Sequence, residues 1–170
     1  MPLTTYAALL ETKTNHVGVL ATPTSILSGM HKKLLLGQNL EPSKELSILE
    51  QACPLFVDLI ENNGTILDIQ EAIETYTKDI GTIVDTLILG CTHYPFIADQ
   101  IQQALPHTKL ISAASCIAEK LKDTPTPLTR GIVIFKTSGT PEKTEVLLEK
   151  FFNKKSVSSY AVTQLETLYR

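Results

Sequence analysis

The sequence has little that would place the protein in a membrane or on a nucleic acid. No apolar stretch approaches the roughly 18 to 20 residues that a membrane-spanning helix needs. The first residues do not combine a positively charged region with an apolar one, so we expect no secretory signal. Fifteen Lys and Arg against 18 Asp and Glu give a net charge of −3 without a basic cluster. We therefore expect no nucleic-acid partner and no membrane partner.

Cysteine is also scarce, and its three positions are scattered. An odd number of unevenly spaced cysteines, Cys53, Cys91 and Cys116, does not form a disulfide framework. A reducing cytoplasm is the expected location. The cysteines and histidines also lack the spacing of a zinc site, so no metal is expected.

The 170 residues as a whole describe an ordinary α/β protein. The length suits one domain, or one domain with a piece of another. Branched apolar runs of strand length alternate with amphipathic helical stretches, which predicts a three-layer fold with a mainly parallel sheet and flanking helices. The predicted strands are residues 17–21, 47–50, 86–89, 109–111, 131–136 and 160–165. The predicted helices are residues 4–12, 26–37, 54–61, 66–80, 95–105, 113–122 and 141–152, with 123–129 as a loop or linker.

Chemically capable side chains are concentrated after the predicted strand 86–89. Gly90 is followed by a thiol, a hydroxyl, an imidazole and a phenol before Pro95 opens a helical pattern. In parallel α/β sheets such strand-to-helix edges line the crevice that binds ligands, and a helix N-terminus there would stabilise a thiolate at Cys91. Cys91 and His93 could be a nucleophile with its base, two metal ligands, or an acid and base for proton transfer. If the strands are parallel, Thr22, Thr24 and Ser25 face the same crevice.

Other polar residues have simpler interpretations. On pattern alone Glu61 is the solvated end of a short helix. Cys53 could be a second thiol of the same site, although a small buried residue is the favoured interpretation, and Cys116 is expected to pack within a helix. Exposed positions are predicted for three histidines, His16, His31 and His107. No partner is identifiable for Asp85 or Asp99.

The segment Gly90-Cys91-Thr92-His93-Tyr94-Pro95 resembles the second catalytic-cysteine motif of bacterial glutamate racemases. Three further stretches are similar to that family in order and spacing. They are Val17–Pro23 with Ser28-Gly29, Gln51–Val57 followed by Glu61, and Ile132–Thr137 with the helix after it.

The resemblance implies an enzyme that converts L-glutamate to D-glutamate for peptidoglycan synthesis without cofactor or metal. Two thiols on opposite faces of Cα would move the proton, since racemisation needs an acid and a base on both faces. Cys91 would be one acid/base, assisted by His93 and supported by the carboxylate of Glu61. Thr22, Ser25 and Thr92 would hold the substrate, although the family usually has threonine where Ser25 stands.

The resemblance also implies an absence. The family's glycine-rich opening strand and its first catalytic cysteine have no counterpart in this sequence. On this interpretation residues 1–112 form the second α/β domain, and residues 113–170 are the returning segment of a first domain whose N-terminal body is absent. Cys53 matches a different, non-catalytic position. The chain is then either a racemase part that works with its missing N-terminal half, and could also form a homodimer, or a non-catalytic fragment or binding module.

Overall fold

A computed structural model describes residues 2–62, 64–124, 132–151 and 159–165. These residues separate into two compact units, Met1–Asp123 and Thr124–Arg170. Each unit is described by itself below. No helix among the described residues is long and apolar enough to cross a membrane.

The first unit alternates helices with four strands. Its helices are α1 (Pro2–Glu11), α2 (Pro23–Leu27), α3 (Met30–Gly37), α4 (Phe56–Glu61), α5 (Ile66–Thr77), α6 (Ala98–Ala104) and α7 (Ala113–Leu121). A short 3-10 helix, Tyr94–Ile97, precedes α6. The strands are β1 (His16–Ala21), β2 (Ser47–Ala52), β3 (Thr86–Leu89) and β4 (Lys109–Ser112). The predicted α/β class is confirmed.

All four strands are parallel and lie in the order β2-β1-β3-β4. The register sets Ala21 beside Ala52 and Leu20 beside Leu89, so the carboxyl ends of three strands meet at one edge. The chain therefore leaves β1, β2 and β3 at neighbouring points, which is where a doubly covered parallel sheet presents its ligand crevice.

Helices cover both faces of this sheet. On one face, Val17, Val19 and Ile88 pack with Ala8 of α1 and Leu35 of α3 in a single buried cluster. The alternate strand residues Leu20, Leu87 and Leu89 are buried as well. Strands buried on both faces read as continuous apolar runs, which explains why their bounds were predictable.

Two predicted helices differ from the structure. The chain between 26 and 37 forms two helices, because Gly29 adopts a left-handed conformation (φ 62°) and starts α3 in a new direction. Leu27, the last residue of α2, is 87% exposed. The pattern opening at Pro95 gives a 3-10 helix first, and α6 begins only at Ala98. An α-helix N-terminus therefore does not lie directly at Cys91.

The second unit contains two parallel strands, β5 (Ile132–Thr137) and β6 (Ser159–Gln164), and the helix α8 (Pro141–Phe151). The predicted loop 123–129 lies mostly outside the described residues. The division after Asp123 leaves α7 with the first unit, later in the chain than the expected boundary at 112. The assignment of 1–112 and 113–170 to two domains of a larger enzyme stays a prediction.

Candidate functional site

The candidate site lies where β1, β2 and β3 end side by side. The backbone N–H of Gly90 donates to Leu20 O at 2.7 Å, and that of Cys53 donates to Ala21 O at 2.8 Å. The sheet ladder thus continues one residue beyond each strand, and the chain then turns. As a result, Cys91 is the first residue free of the sheet after β3, as Thr22 is after β1.

Cys91, His93 and Glu61 form a continuous chain of polar contacts. Glu61 Oε1 lies 2.7 Å from His93 Nε2, and His93 Nδ1 lies 3.7 Å from Cys91 Sγ. A carboxylate only accepts hydrogen bonds, so the contact with Glu61 places a proton on Nε2 and leaves Nδ1 as an acceptor towards the thiol. This arrangement can take a proton from Cys91 and stabilise the imidazolium that results.

The structure joins Glu61 to the site across 32 positions of sequence. Glu61 is the last residue of α4, and its side chain is 43% exposed, as the helix pattern predicted. His93 is 33% exposed. Exposure to solvent weakens such a pair, yet the open position also leaves both groups reachable from outside.

Tyr94 supports this arrangement from the interior of the first unit. Its side chain is fully buried, its hydroxyl donates to Cys53 O at 3.2 Å, and its ring packs edge-on against Phe56 at 5.1 Å. Burial is the main cause that raises the pKa of Tyr94 above its ordinary value. The phenol therefore stays protonated and remains a neutral hydrogen-bond donor. Phe56 opens α4 and Glu61 ends it, so Tyr94 fixes the His93 turn against the helix that carries the carboxylate. The residue pattern around Tyr94 did not indicate this supporting role, because the contacts with Phe56 and Cys53 join residues distant in sequence.

Gly90 permits a close approach beneath Cys91. A Cβ at Gly90 would lie 2.9 Å from both Ala21 Cβ and Leu20 O, and 3.0 Å from His31 Nε2. Because two of these atoms are held in β1, a larger residue would displace the turn that carries the thiol.

The predicted substrate-holding residues lie on the two turns at this edge. Thr22 is the N-cap of α2 and accepts from Ser25 N at 3.4 Å. Ser25 Oγ contacts His31 Nε2 at 3.3 Å, and Thr92 is exposed beside Cys91. Among the described residues, no hydrogen bond joins Thr22, Ser25 or Thr92 directly to Cys91.

The other two cysteines fit structural interpretations. Cys53 is fully buried, and burial is the main cause that raises its pKa to about 12. Its thiol donates to Gln51 O at 3.6 Å. Cys116 is half-buried and packs against the apolar cluster of the first unit. Both match the favoured interpretations from the sequence.

Two expectations about polar residues are wrong. His31 was expected on an exposed polar face, but it is 1% exposed because α3 turns at Gly29 and carries it under the β1 and β3 turns. Asp85, for which no partner was identified, accepts from Thr12 Oγ1 at 2.7 Å and from the backbone N–H groups of Lys13 and Thr14 at 2.7 and 2.8 Å. It closes the turn at the opposite end of the sheet, before β1.

Within the described residues, no group of three or more His, Cys, Asp or Glu side chains is arranged to hold a metal ion. Four surface hollows of the first unit, lined for example by Lys78 and Leu105, lie away from the Cys91 turn. At the Cys91 turn, Thr92 is exposed and Cys91 and His93 are half-buried, so the candidate site is open to solvent. The contact between the Cys91 thiol and the His93 imidazole could support proton transfer.

Comparison with known proteins points to one enzyme. No family model matches the chain. The glutamate racemase of Hydrogenobaculum sp. (strain Y04AAS1) is 39% identical over 114 residues, which are 65% of this chain and 42% of the relative. That of Aquifex aeolicus is 38% identical over 117 residues, 68% of this chain and 44% of the relative. The chain spans less than half the length of either relative.

Solved structures show the same likeness in fold. A glutamate racemase from Bacillus anthracis superposes with a TM-score of 0.79 at 24% identity, over 99% of this chain and 64% of that one. The racemase from Francisella tularensis, solved in complex with D-glutamate, gives a TM-score of 0.69 at 26% identity over 95% and 62% of the two chains. The chain is thus similar to a part of a glutamate racemase. The similarity in sequence covers about two thirds of the chain, and the similarity in fold covers nearly all of it.

Proposed function

We propose that this chain is the C-terminal part of a glutamate racemase and supplies one of its two catalytic thiols. Cys91 removes the Cα proton of glutamate from one face or returns a proton to that face. His93 and Glu61 set its protonation state. The product D-glutamate would serve peptidoglycan synthesis in the cytoplasm.

The contact chain from Glu61 through His93 to Cys91 is the observation that carries this proposal. With Nε2 protonated, His93 Nδ1 accepts the proton of Cys91 and leaves a thiolate beside an imidazolium. The thiolate then takes the Cα proton, forming an S–H bond and leaving the electron pair on the substrate. This carbanion lies next to a carboxylate, so hydrogen-bond donors must stabilise it, and Thr22, Ser25 and Thr92 offer such donors.

Inversion requires a second thiol on the opposite face, and Cys53 is a poor candidate for it. Its burial and its raised pKa keep the thiol protonated and out of reach of a substrate. The second acid/base would therefore lie in the part of the glutamate racemases that has no match in this chain. That part would be the partner of this chain.

The second unit supports the need for such a partner. Parallel sheets are normally covered on both faces and contain several strands, whereas the described residues of this unit form one pair of strands, β5 and β6. Ile134 on β5 is 59% exposed and Val146 on α8 is 62% exposed. Apolar groups in these positions suit strands and helices supplied by the missing N-terminal half, or else self-association into a homodimer.

The test is exchange of the Cα proton. The purified chain is incubated with L- or D-glutamate in heavy water, alone and together with the unmatched portion of the Aquifex aeolicus racemase, and deuterium uptake and inversion are followed by NMR and chiral analysis. We expect inversion only with the added portion, and its loss in Cys91→Ala. Cys116→Ala is the matched control, since it removes a half-buried thiol that lies in the packing of α7.

Three outcomes would contradict the proposal. Absence of exchange above the Cys91→Ala level in both arms would favour a non-catalytic fragment or binding module. Full turnover by Cys91→Ala would remove Cys91 from the mechanism. Inversion by the chain alone, in size-exclusion fractions of a monomer, would show that no partner is needed.

A further inference from the structure

His31 is a buried imidazole that the proposed mechanism does not use. It lies in the first turn of α3, is 1% exposed, and its Nδ1 is buried without a hydrogen-bond partner among the described residues. Buried polar side chains are normally paired, so an orphaned ring nitrogen calls for a reason. The reason lies at the other nitrogen.

His31 Nε2 lies between the two turns that form the candidate site. It is 3.3 Å from Ser25 Oγ, in the short helix α2 that follows β1. It would also be 3.0 Å from a Cβ on Gly90, the residue before Cys91. One ring nitrogen therefore touches the substrate-holding turn and sits directly against the turn of the catalytic thiol.

The identity of the proton donor in the Ser25–His31 contact matters for the site. Ser25 is half-buried, and its Oγ has no other hydrogen-bond partner among the described residues. If Ser25 donated to Nε2, the ring proton would sit on Nδ1 as a buried N–H without an acceptor, and orphaned N–H groups are rare. If Nε2–H donates instead, only a lone pair is left unpartnered. The hydroxyl proton of Ser25 is then free to point outward.

We infer that His31 is a positioning residue: its Nε2–H donates to Ser25 Oγ and thereby turns the Ser25 hydroxyl proton towards a carboxylate oxygen of the substrate. Burial lowers the pKa of His31, so the imidazole is neutral near pH 7 and carries its single proton on Nε2. The part of this inference that concerns substrate rests on the proposed function.

The tautomer is measured directly on the 170-residue chain. Long-range proton–nitrogen NMR correlations distinguish a ring with the proton on Nε2 from one with the proton on Nδ1. We expect the Nε2–H pattern, and we expect Ser25→Ala to shift the Nε2 resonance of His31 much more than its Nδ1 resonance. An Nδ1–H pattern, or no response to Ser25→Ala, would overturn the inference whatever the activity of the chain.

The consequence for substrate is measured as a division between KM and kcat in the exchange assay. His31→Leu replaces the imidazole with an apolar side chain of similar volume that cannot donate a hydrogen bond. KM for glutamate should therefore rise on the order of tenfold, with kcat little changed. Ser25→Ala should act similarly, and the double variant should be no worse than either single one. His31→Gln, which retains a donor, should restore most of the loss.

Leu35→Val is the matched control, because Leu35 lies one turn further along α3, is fully buried and packs in the apolar cluster with Ala8 and Val17. It should lower the melting temperature without raising KM. A rise in KM for Leu35→Val equal to that of His31→Leu would reduce His31 to a packing residue. If the unaltered protein shows no exchange at all, the proposed function fails, and the tautomer measurement still decides the Ser25–His31 hydrogen bond.

Discussion

Glu61→Gln tests the polar chain of the site at its outer end. In the proposed mechanism, the carboxylate stabilises the imidazolium that forms when His93 takes the proton of Cys91, through a contact of 2.7 Å. A hydrogen bond to a charged group contributes about 1.5 to 3 kcal/mol. Because Glu61 and His93 are 43% and 33% exposed, solvent screening favours the lower end. We therefore expect a loss of about 1.5 kcal/mol, or roughly tenfold in the exchange rate.

The assay for this variant is deuterium uptake at Cα under the conditions that give inversion with the unaltered chain. Thermal unfolding of Glu61→Gln should be close to that of the unaltered protein, since the side chain is exposed at the end of α4. Asp58→Asn is the matched control: Asp58 lies one turn earlier on α4 and contacts Asn62 rather than His93. A rate unchanged in Glu61→Gln, or lowered equally in Asp58→Asn, would refute the role of Glu61.

Three further predictions concern stability and reactivity. Gly90→Ala should lower the free energy of unfolding by about 1 to 3 kcal/mol, because the added Cβ would meet fixed atoms of β1. Gly37→Ala is the control, since the space around Gly37 is open and no such loss is expected. Chemical denaturation measures the free energy of unfolding of both variants. Burial acts to raise the pKa of Asp85, but its hydrogen bonds outweigh this and hold it below the usual range, so its stabilisation should be present above about pH 3.9 and be lost as pH falls through the lowered value. Asp85→Asn should lack that acid-dependent part, and an identical pH profile of unfolding would contradict this. Iodoacetamide should label half-buried Cys91 long before buried Cys53 in the folded protein, as mass spectrometry of the peptides would show, and equal rates would contradict the burial argument.

The strands were predictable because their signal is local. The run 86–89 is apolar, branched and ended by Gly90, and β3 has those bounds. The break in the helical pattern between 26 and 37 was missed because the apolar spacing continues across it. Gly29 adopts a left-handed conformation between α2 and α3, and the spacing of apolar residues does not reveal such a backbone change.

Contacts between residues that are distant in sequence could not be predicted from the residue pattern. Asp85 pairs with a turn 71 to 73 residues earlier, and Glu61 reaches His93 across 32 residues. Spacing along one element cannot reveal either contact. The helical pattern correctly gave Glu61 as an exposed helix end, and the family resemblance gave it a supporting role. The structure adds the atoms that would let it act.

In the candidate site, the reactive polar groups lie near the surface, and the residues that hold their turns in place are buried. Tyr94 and His31 are buried, and their contacts fix the turns on which reactive residues stand. Cys91 and His93, by contrast, remain accessible at the sheet edge. Such an edge can approach only one face of a substrate's Cα, since all its groups lie on the same sheet. Racemisation requires an acid and a base on both faces, so the proposed function needs a second thiol from a partner that faces this edge.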